Sequence, residues 1–487
     1  DLHMLTSYWQ HFKSGTDIRG VALDGVEDQP LDLTDEVVEK LAAAFARWLS
    51  GKTGKPAAAL TVSLGRDSRL SGPRLRDAVV RSLTARGVTV LDCGLASTPA
   101  MFMTTVDLGC DGAVQLTASH HPYHRNGLKF FLPSGGLEGT DITALLELAQ
   151  AEDFPPPAAG TVREIAYMTQ YAARLRRLIC EGVQAEDYNR PLAGFRIVVD
   201  AGNGAGGFYA RDVLEPLGAD VSGSQFLEPD GRFPNHIPNP ENPEAMASVC
   251  AATLKAGADL GVIFDTDVDR AGCVGADGRE INRNRLIALA AAIVLEDAPG
   301  GTIVTDSVTS SGLKTFLEQT LGGVHCRFKR GYKNVINEAQ RLCASGVNAP
   351  LAIETSGHAA LKDNYFLDDG GTLEDLIAAL EEPAESVELR FNILESDFKA
   401  YGLQVLERLE AYARRQGWPV AEDSREGVRT TVGDGWLLLR LSVHDPVMPL
   451  NIESAAPGGC RAIASALTDF MSAEGGLDKS QLDAYLS

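Results

Sequence analysis

The chain has 487 residues, a formal net charge of −22 and 44% hydrophobic residues. A chain of this length is too long for one hydrophobic core, and it predicts several domains. An acidic surface disfavours nucleic acid and anionic membranes as main partners, although a local basic cleft on it can still hold a phosphorylated metabolite. The eight cysteines show no CxxC spacing, so neither a zinc site nor a disulfide framework is predicted.

Apolar segments and helical segments alternate along most of the chain. No apolar run reaches the roughly 20 residues that a membrane-spanning helix needs, and a cytoplasmic location is the default expectation. The connections are predicted at the proline-rich 151–160 and the acidic 381–387, with a separate α+β domain after the second. Strands are predicted at 60–64, 88–91, 196–200, 260–264, 302–305 and 436–441, with a helix at 72–86. This alternation predicts α/β layers with largely parallel sheets.

The stretch TASHHPYHRNGLK, residues 117–129, places a serine where an apolar strand ends. This is the position at which α/β enzymes hold reacting groups. Ser119 has His120, His121 and His124 close to it in sequence. A serine hydroxyl becomes a good nucleophile only beside a base or a metal. A polar loop with capping side chains is the alternative that this stretch alone leaves open.

The stretch DTDVDR, residues 265–270, follows the apolar strand LGVIF. Three carboxylates at alternate positions of a turn can converge on one hard cation such as Mg²⁺, which prefers oxygen ligands. An EF-hand is excluded, because Arg270 stands where that loop needs glycine and Ala276 where it needs glutamate. The alternative is an acidic surface turn.

Two further polar stretches are ETSGH, residues 354–358, and RLSVHDPVMP, residues 440–449. Glu354 and Ser356 can hydrogen-bond sugar hydroxyls, and His358 titrates in a range suited to acid or base work. In the second stretch, arginine and serine side chains together with turn amides can hold a phosphate. Each stretch alone is also compatible with a structural turn.

In this order and spacing, the four stretches resemble the α-D-phosphohexomutase family, which includes phosphomannomutase/phosphoglucomutases and phosphoglucosamine mutases. TASHHP resembles the family's phosphoserine loop TASHNP, DTDVDR its DxDxDR metal loop, and ETSGH its sugar loop GExSGH. SGTDIRG, GRDSRLSG, DAGNGAGG, DGRFPNHIPNPENPE and DDGG also resemble family segments. The resemblance runs from about residue 12 to residue 470.

The resemblance implies an α/β fold with three related α/β domains and a smaller, more mobile C-terminal α+β domain around a central active-site cleft. We expect the phosphoserine loop in domain I (5–165) and the metal loop in domain II (166–275). The sugar loop falls in domain III (276–384) and the phosphate loop in domain IV (385–487).

The resemblance also implies reversible phosphoryl transfer between C1 and C6 of glucose or mannose phosphates. Ser119 carries the phosphate, and a hexose 1,6-bisphosphate is the intermediate and activator. The expected Mg²⁺ ligands are Ser119, Asp265, Asp267 and Asp269. The expected catalytic residues are Ser119, Lys129, His358, Arg270, Arg19 and His120, with Lys129 and His358 as interchangeable candidates for base and acid. The expected substrate-binding residues are Glu354, Ser356, Lys333, Arg440, Ser442 and His444.

The chain departs from the family pattern in two loops. His121 replaces the asparagine that usually follows Ser-His. In the fourth loop the family pattern RxSGTEP becomes RLSVHDP, and the arginine that follows a few residues later in the family is missing. Binding of the distal phosphate would then depend on Arg440, Ser442 and His444. Arg425 or Arg429 could supply further positive charge.

Three other functions remain open from the sequence. A phosphatase of the haloacid dehalogenase type would use Asp265 as nucleophile but would leave TASHHP unexplained. A phosphoglucosamine mutase stays open because the sequence does not identify the sugar, although ETSGH is compatible with glucose and mannose phosphates. A non-catalytic phosphosugar-binding protein on the same fold is compatible with the altered fourth loop.

We expect a hexose phosphate as the partner, no nucleic acid or membrane, and a monomer, with a dimer left open.

Overall fold

The computed structural model describes residues 4–281, 283–364, 367–368, 382–443 and 445–487. The described chain forms two compact units. The first comprises residues 4–281, 356–358 and 367–368, and the second comprises residues 283–355, 359–364, 382–443 and 445–487. His444 and residues 369–371 of the DDGG segment lie outside the described residues.

The first unit contains seven helices and most of the strands. The helices are α1 (Ser7–Gln10), α2 (Asp35–Thr53), α3 (Gly72–Thr84), α4 (Thr98–Asp107), α5 (Gly139–Ala151), α6 (Tyr167–Val183) and α7 (Pro243–Ala256). The strands are β1 (Lys13–Ser14), β2 (Asp17–Val21), β3 (Thr61–Arg66), β4 (Thr89–Leu95), β5 (Gly112–Leu116), β6 (Arg125–Leu132), β7 (Gly135–Gly136), β8 (Thr161–Glu164), β9 (Ile197–Asp200), β10 (Leu260–Phe264), β11 (Ala271–Gly275) and β12 (Glu280–Ile281).

The second unit contains the remaining helices and strands of the described chain, apart from β17 (Leu367–Asp368) of the first unit. The helices are α8 (Asn284–Asp297), α9 (Ser311–Thr315), α10 (Tyr332–Ala344), α11 (Phe398–Arg415), α12 (Gly459–Ala466), α13 (Thr468–Ser472) and α14 (Ser480–Leu486). The strands are β13 (Thr302–Thr305), β14 (Val324–Arg327), β15 (Leu351–Ile353), β16 (Ala359–Leu361), β18 (Glu385–Asn392), β19 (Val428–Val432), β20 (Gly435–Leu439) and β21 (Val447–Ser454).

The first sheet has eight strands in the order β1-β2-β6-β5-β3-β4-β8, with β7 paired to β6. Strands β5, β3, β4 and β8 run parallel, so their carboxyl ends share one edge of the sheet. Helices α2, α3 and α5 pack on one face around a large apolar core, and α4 and α6 pack on the other. The residue two positions after the end of β5 is Ala118, so the TASHHP loop lies at this shared edge, as predicted.

The sequence of helix α2 explains both where the helix begins and ends and which face it buries. Thr34 caps the N-terminus by accepting a hydrogen bond from the Val37 N–H, and Gly54 ends the helix with φ +72°, a conformation that glycine adopts at little cost. Ten of its residues are buried, including Leu41 and Phe45. Burial of this apolar stripe, at about 25 cal/mol per Å², anchors the layer beneath the sheet.

The second sheet, in the order β12-β11-β10-β9, places the DTDVDR turn. All five residues of β10 are buried, and Phe264 at its end pairs with Ala271 at the start of antiparallel β11. Residues 265–270 therefore form a closed turn between two paired strands. Parallel β9 borders β10, and helix α7 packs against this sheet through an apolar cluster.

The second unit holds two further sheets. In one, β14, β13 and β15 run parallel and β16 pairs antiparallel to β15. The other is fully antiparallel, in the order β18-β21-β20-β19, and packs against helices α11 to α14. The predicted fold class, α/β domains followed by an α+β domain, is confirmed. The domain boundaries stay a prediction.

Two predictions about local structure need correction. Glu385–Val387 belong to strand β18 and not to a connection. Helix α3 ends at Thr84, because the chain turns there towards β4. Within the described ranges, no helix combines the length and the hydrophobicity that crossing a membrane requires.

Candidate active site

Ser119 lies in a strained turn at the carboxyl end of β5. Its φ is +51°, a conformation that residues other than glycine rarely adopt. Its N–H donates to Thr117 Oγ1 at 3.0 Å. Its Oγ donates to Asp265 Oδ2 at 3.1 Å and lies 3.5 Å from His120 Nδ1. The hydroxyl of this buried serine therefore faces a carboxylate and not solvent.

Asp265, Asp267 and Asp269 form a buried carboxylate cluster on the turn between β10 and β11. One oxygen atom from each lies within 4.8 Å of the others. Among the described residues, Oδ1 of Asp267 and Oδ1 of Asp269 have no hydrogen-bond partner although both atoms are buried. Buried polar atoms normally have partners, so these oxygens are suited to coordinating an ion.

The electrostatics of the cluster also fit a cation. Burial, followed by repulsion from neighbouring carboxylates, raises the pKa of Asp265 well above its ordinary value and raises that of Asp267 to about 7. Burial acts in the same direction on Asp269, but Lys129 and His358 more than offset it and hold the pKa of that carboxyl below its usual range. A divalent cation would relieve the repulsion. The cluster can therefore bind a metal ion.

Two cations from the first sheet flank the cluster. Lys129 on β6 is buried, and its Nζ lies 3.5 Å from Asp269 Oδ2 and 3.7 Å from Asp17 Oδ2. Arg19 on β2 donates through a terminal nitrogen to the same Asp17 oxygen at 3.2 Å. Asp17 thus links the two cationic side chains, and Lys129 bridges the first sheet and the carboxylate cluster.

The two histidines after Ser119 are neutral near neutral pH. Burial, aided by nearby arginines, lowers the pKa of His120 and of His121 to about 3. Nε2 of His121 lies 2.8 Å from a terminal nitrogen of Arg19. Since Arg19 can only donate, this His121 nitrogen accepts. An asparagine oxygen could accept in the same way, so the substitution in the TASHNP pattern retains an acceptor for Arg19.

His358 and Arg270 connect the end of ETSGH to the metal turn. Arg270 Nε donates to His358 Nε2 at 2.9 Å, and the Arg270 N–H donates to Asp265 Oδ1 at 3.2 Å. Gly357 has φ +97°, and a Cβ there would lie 2.7 Å from the Ala271 carbonyl oxygen. The close approach of this loop to β11 therefore requires glycine.

In the second unit, Glu354 contacts the short loop before α10, and Arg440 is linked to the same loop through Glu426. Glu354 Oε2 accepts a hydrogen bond from the Gly331 N–H at 2.8 Å. Glu426 Oε2 accepts one from the neighbouring Arg330 N–H at 3.0 Å, and Glu426 Oε1 lies 3.6 Å from a terminal nitrogen of Arg440. The loop that precedes α10 therefore joins the sugar-loop glutamate to the arginine of the fourth loop.

The sequence of the chain matches models of a known protein family. The models described as phosphoglucomutase/phosphomannomutase alpha/beta/alpha domains I, II and III match residues 12–155, 171–278 and 282–384. The chain belongs to the phosphoglucomutase/phosphomannomutase family. The resemblance that the motifs predicted is confirmed.

Individual relatives of this phosphohexomutase agree in sequence and in fold. The phosphomannomutase/phosphoglucomutase of Pseudomonas putida is 31% identical over 87% of this chain and 90% of its own length. The phosphoglucomutase of Neisseria gonorrhoeae is 32% identical over 81% of this chain and 84% of its own. A crystal structure of a phosphoglucomutase/phosphomannomutase family protein from Burkholderia thailandensis, 27% identical, superposes with a TM-score of 0.78 over 97% of this chain and 98% of its own.

The predicted site residues of this phosphohexomutase are divided between the two units. The first unit brings together Ser119, His120, Lys129, Arg19, Asp265, Asp267, Asp269, Arg270 and His358, and also contains Ser356. The second unit contains Glu354, Lys333, Arg440 and Ser442. Lys333 lies in the first turn of α10. His444 lies outside the described residues.

Arg429 is unsuited to replace the missing phosphate-loop arginine. Its side chain is buried, donates to the carbonyl oxygens of Ser307 and Thr309 at 3.2 and 2.9 Å, and stacks 3.7 Å from the Trp436 ring centre. These contacts are those of a structural residue, so Arg429 is not among the residues that we propose for phosphate binding.

Arg330 and Arg390 lie near Arg440 and were not predicted. A terminal nitrogen of Arg390 lies 2.9 Å from Glu388 Oε1, and one of Arg330 lies 3.7 Å from Glu388 Oε2. Burial raises the pKa of Glu388, but Arg330, Arg390 and Arg440 are among the groups that hold it below its usual range. Arg390 lies on β18, Arg440 follows β20 and Arg330 precedes α10, so their proximity depends on contacts between segments far apart in the chain, which no local sequence signal shows.

Thr98 is a further residue that sequence reasoning missed. At the start of α4, its Oγ1 donates to Asp267 Oδ2 at 2.6 Å and its N–H donates to the Asp267 carbonyl oxygen at 2.8 Å. The available signal was its position after β4, at the same sheet edge as Ser119. Thr98 orients one carboxylate of the candidate metal centre.

Proposed function

We propose that the protein interconverts hexose 1-phosphates and hexose 6-phosphates by means of a phosphate carried on Ser119. Family membership supports this activity, and the predicted isomerase class is confirmed. The observation that carries the assignment of the nucleophile is the 3.1 Å contact between Ser119 Oγ and Asp265 Oδ2. A serine hydroxyl directed at a candidate metal centre can accept and release a phosphoryl group.

The reaction comprises two phosphoryl transfers. In the first, the P–O bond to Ser119 breaks while a P–O bond forms to the free hydroxyl of the hexose monophosphate, and a base takes the hydroxyl proton. The resulting hexose 1,6-bisphosphate turns around. In the second, the other phosphate returns to Ser119 and an acid protonates the sugar oxygen that is left. No external oxidant or phosphate donor is consumed in a complete cycle.

Lys129 and His358 are the candidates for proton transfer. His358 Nε2 accepts the hydrogen bond from Arg270, so in the neutral ring the hydrogen is on Nδ1. In this tautomer Nε2 can take up a proton only by giving up that contact. This favours Lys129, after the loss of its proton, as the base and His358 as a group that donates to the sugar through Nδ1.

Asp265, Asp267, Asp269 and the phosphorylated Ser119 are the residues that would hold Mg²⁺. The carboxylate oxygens match the ligand preference of a hard divalent cation. When bound, the ion neutralises charge on the phosphoryl group during transfer. The Arg270 side chain adds positive charge beside the same cluster, with its Nε 4.0 Å from Asp265 Oδ2.

The proposed substrates are glucose and mannose phosphates, in keeping with the names of the relatives. Glu354, Ser356 and Lys333 are proposed to bind the sugar. Arg440 and Ser442 are proposed to bind the distal phosphate, with Arg390 as the residue that compensates for the altered fourth loop. The cytoplasmic location and the monomeric state stay predictions.

An isomerisation assay tests the proposal. Purified protein with Mg²⁺ and catalytic glucose 1,6-bisphosphate should convert glucose 1-phosphate and mannose 1-phosphate to the 6-phosphates. Ser119→Ala should lower kcat by at least about 10³-fold, since removal of a covalent catalyst forfeits the two-step route. Intact-mass measurement should show one phosphate on the wild type and none on the variant. Full turnover by Ser119→Ala would refute the phosphoserine mechanism.

A further inference from the structure

The side chain of Arg69 is the interior support of the phosphoserine loop. Only 1% of the residue is exposed, and its side chain makes a 3.3 Å ion pair with buried Asp67. An arginine offers five donors in a fixed planar fork. Here the two terminal nitrogens donate to four backbone carbonyl oxygens, those of Ser119, His121, Pro122 and Arg125.

A second chain of hydrogen bonds joins the same ion pair to the nucleophile. Asp67 Oδ1 accepts from the Arg69 N–H at 3.0 Å, and Asp67 Oδ2 accepts from Thr117 Oγ1 at 2.7 Å. Thr117 Oγ1 in turn accepts from the Ser119 N–H at 3.0 Å. Both the N–H and the carbonyl oxygen of Ser119 are therefore held by one buried network.

The other side of Arg69 is closed by the segment that follows β9. The Phe233 ring centre lies 5.4 Å from the Arg69 guanidinium carbon. Gly231 approaches the backbone of residues 68–70 so closely that a Cβ would lie 2.6 Å from the Ser68 carbonyl oxygen. The segment thus packs against both the side chain of Arg69 and the backbone that carries it.

We propose that Arg69 is a positioning residue for phosphoryl transfer, an inference that rests on the proposed function. It does not touch the substrate. It holds Ser119 in its left-handed conformation, with φ +51°, at a distance from which Oγ reaches Asp265. The strain of that conformation is maintained only if the surrounding contacts determine it.

A shift of the loop would affect the chemical step more than substrate binding. The proposed sugar and phosphate contacts of Glu354 and Arg440 belong to the second unit and make no use of Arg69. A displacement of about 1 Å at a reacting atom can cost about 10²-fold in rate. Loss of the arginine fork therefore predicts a fall in kcat with little change in KM.

The test compares Arg69→Lys with Arg86→Lys. Arg86 is a matched control, because it too donates to a backbone carbonyl oxygen, that of Pro155, and lies 5.3 Å from a phenylalanine ring centre, that of Phe154. The rate at which glucose 1,6-bisphosphate phosphorylates dephosphorylated Ser119 is followed by intact-mass spectrometry, together with steady-state kcat and KM. Arg69→Lys should slow phosphorylation and lower kcat by about 10²-fold at near-normal KM, and Arg86→Lys should leave both unchanged.

Thr117→Val keeps the test decisive if Arg69→Lys is poorly folded. It removes the hydroxyl between Asp67 and the Ser119 N–H but preserves the shape of the side chain, and thermal melting verifies its fold. Its kcat should also fall while KM is retained. Wild-type kcat in a folded Arg69→Lys, or in Thr117→Val, would overturn the positioning role alone. An inactive wild-type protein would instead remove the proposed function, and this inference with it.

Discussion

Thr98 gives the clearest prediction for a single residue. Replacing it with valine removes the 2.6 Å hydrogen bond to Asp267 Oδ2 but preserves volume and branching. Residues that orient metal ligands typically contribute about 10- to 100-fold in metal affinity. We therefore expect Thr98→Val to raise by that factor the Mg²⁺ concentration that gives half-maximal activity.

A matched control lies on the same helix. Thr105 is also buried, but its Oγ1 donates only to the Phe102 carbonyl oxygen within α4. Thr105→Val should leave the Mg²⁺ titration unchanged. Equal titration curves for the two variants would show that Thr98 does not orient the Asp267 carboxylate.

Removal of a carboxylate gives a stronger effect on the same property. Asp267→Asn reduces the negative charge of the buried cluster and weakens its attraction for a divalent cation. We expect lower kcat and a higher Mg²⁺ requirement, measured by activity at increasing Mg²⁺. Direct calorimetric titration with Mg²⁺ provides a readout independent of turnover. A variant with the metal profile of the wild type would refute this site.

Sequence patterns identified the residues that react or bind charge. They missed the buried residues that fix the positions of these reactive groups. Ser119 and the three aspartates were predicted because each follows an apolar strand. Arg69 occurs in GRDSRLSG, a polar string that gives no sign of complete burial. Its burial results from contacts with residues more than fifty positions away, such as Pro122 and Arg125. Local periodicity carries no information about such contacts.

At the scale of elements, the turn after β9 supports the metal turn. A Cβ on Gly204 would lie 2.6 Å from the Thr266 carbonyl oxygen and 2.8 Å from its Cα. Backbone atoms cannot move aside as a flexible side chain can, and overpacking of this kind costs about 1–3 kcal/mol. Gly204→Ala should therefore lower Tm and raise the Mg²⁺ requirement together. Gly182→Ala in α6, where a Cβ meets nothing within 4 Å, should do neither.

A buried ion pair joins strand β9 to the segment that contains Phe233. His236 Nε2 lies 2.8 Å from Asp200 Oδ2, and its Nδ1 lies 2.8 Å from the Ile237 carbonyl oxygen. Both ring nitrogens face acceptors, an arrangement that suits the protonated ring. Burial alone lowers the pKa of His236, but the hydrogen bond and charge of Asp200 more than offset this and raise it above the ordinary 6.5.

The sign of the resulting pH dependence follows from linkage. A histidine whose pKa is raised in the folded state binds its proton more tightly there, so its contribution to stability is complete below about pH 6.5, the ordinary histidine pKa. The contribution is lost as pH rises through the folded-state pKa. The Tm difference between the wild type and His236→Gln should therefore be larger at pH 6 than at pH 9. A difference that grows with pH would contradict the charged pair.

The same comparison of elements shows what sequence periodicity can and cannot predict. The strands at 260–264 and 302–305 were predicted to the residue, because LGVIF is a short apolar run, TIVT consists only of β-branched residues, and both are fully buried. Glu385–Val387 were misassigned because the first half of β18 has no fully buried residue and begins with glutamate and serine, which are weak strand formers. Its pairing with β21 provides the hydrogen bonds that outweigh the weak local signal.

At the scale of the whole molecule, the two units are proposed to divide the work of the enzyme. Ser119, the aspartate cluster, Lys129 and His358 belong to the first unit, whereas Glu354 and the residues of the fourth loop belong to the second. The ETSGH loop itself is divided, with Glu354 in the second unit and His358 in the first. This division could not be predicted, since the five residues are consecutive in sequence.

The division of work makes a kinetic prediction for Arg440. Loss of a charge-assisted hydrogen bond to phosphate costs about 1.5–3 kcal/mol, and 1.4 kcal/mol corresponds to about tenfold in affinity. Arg440→Gln should therefore raise KM for glucose 1-phosphate by about ten- to a hundredfold. The water-driven loss of phosphate from Ser119, measured by intact mass without substrate, should stay at the wild-type rate because it depends on the first unit alone.

Arg414→Gln, which removes only the surface pair with Glu410, should change neither quantity. A fall in kcat without a rise in KM for Arg440→Gln would place this arginine in the chemical step and contradict the proposed division.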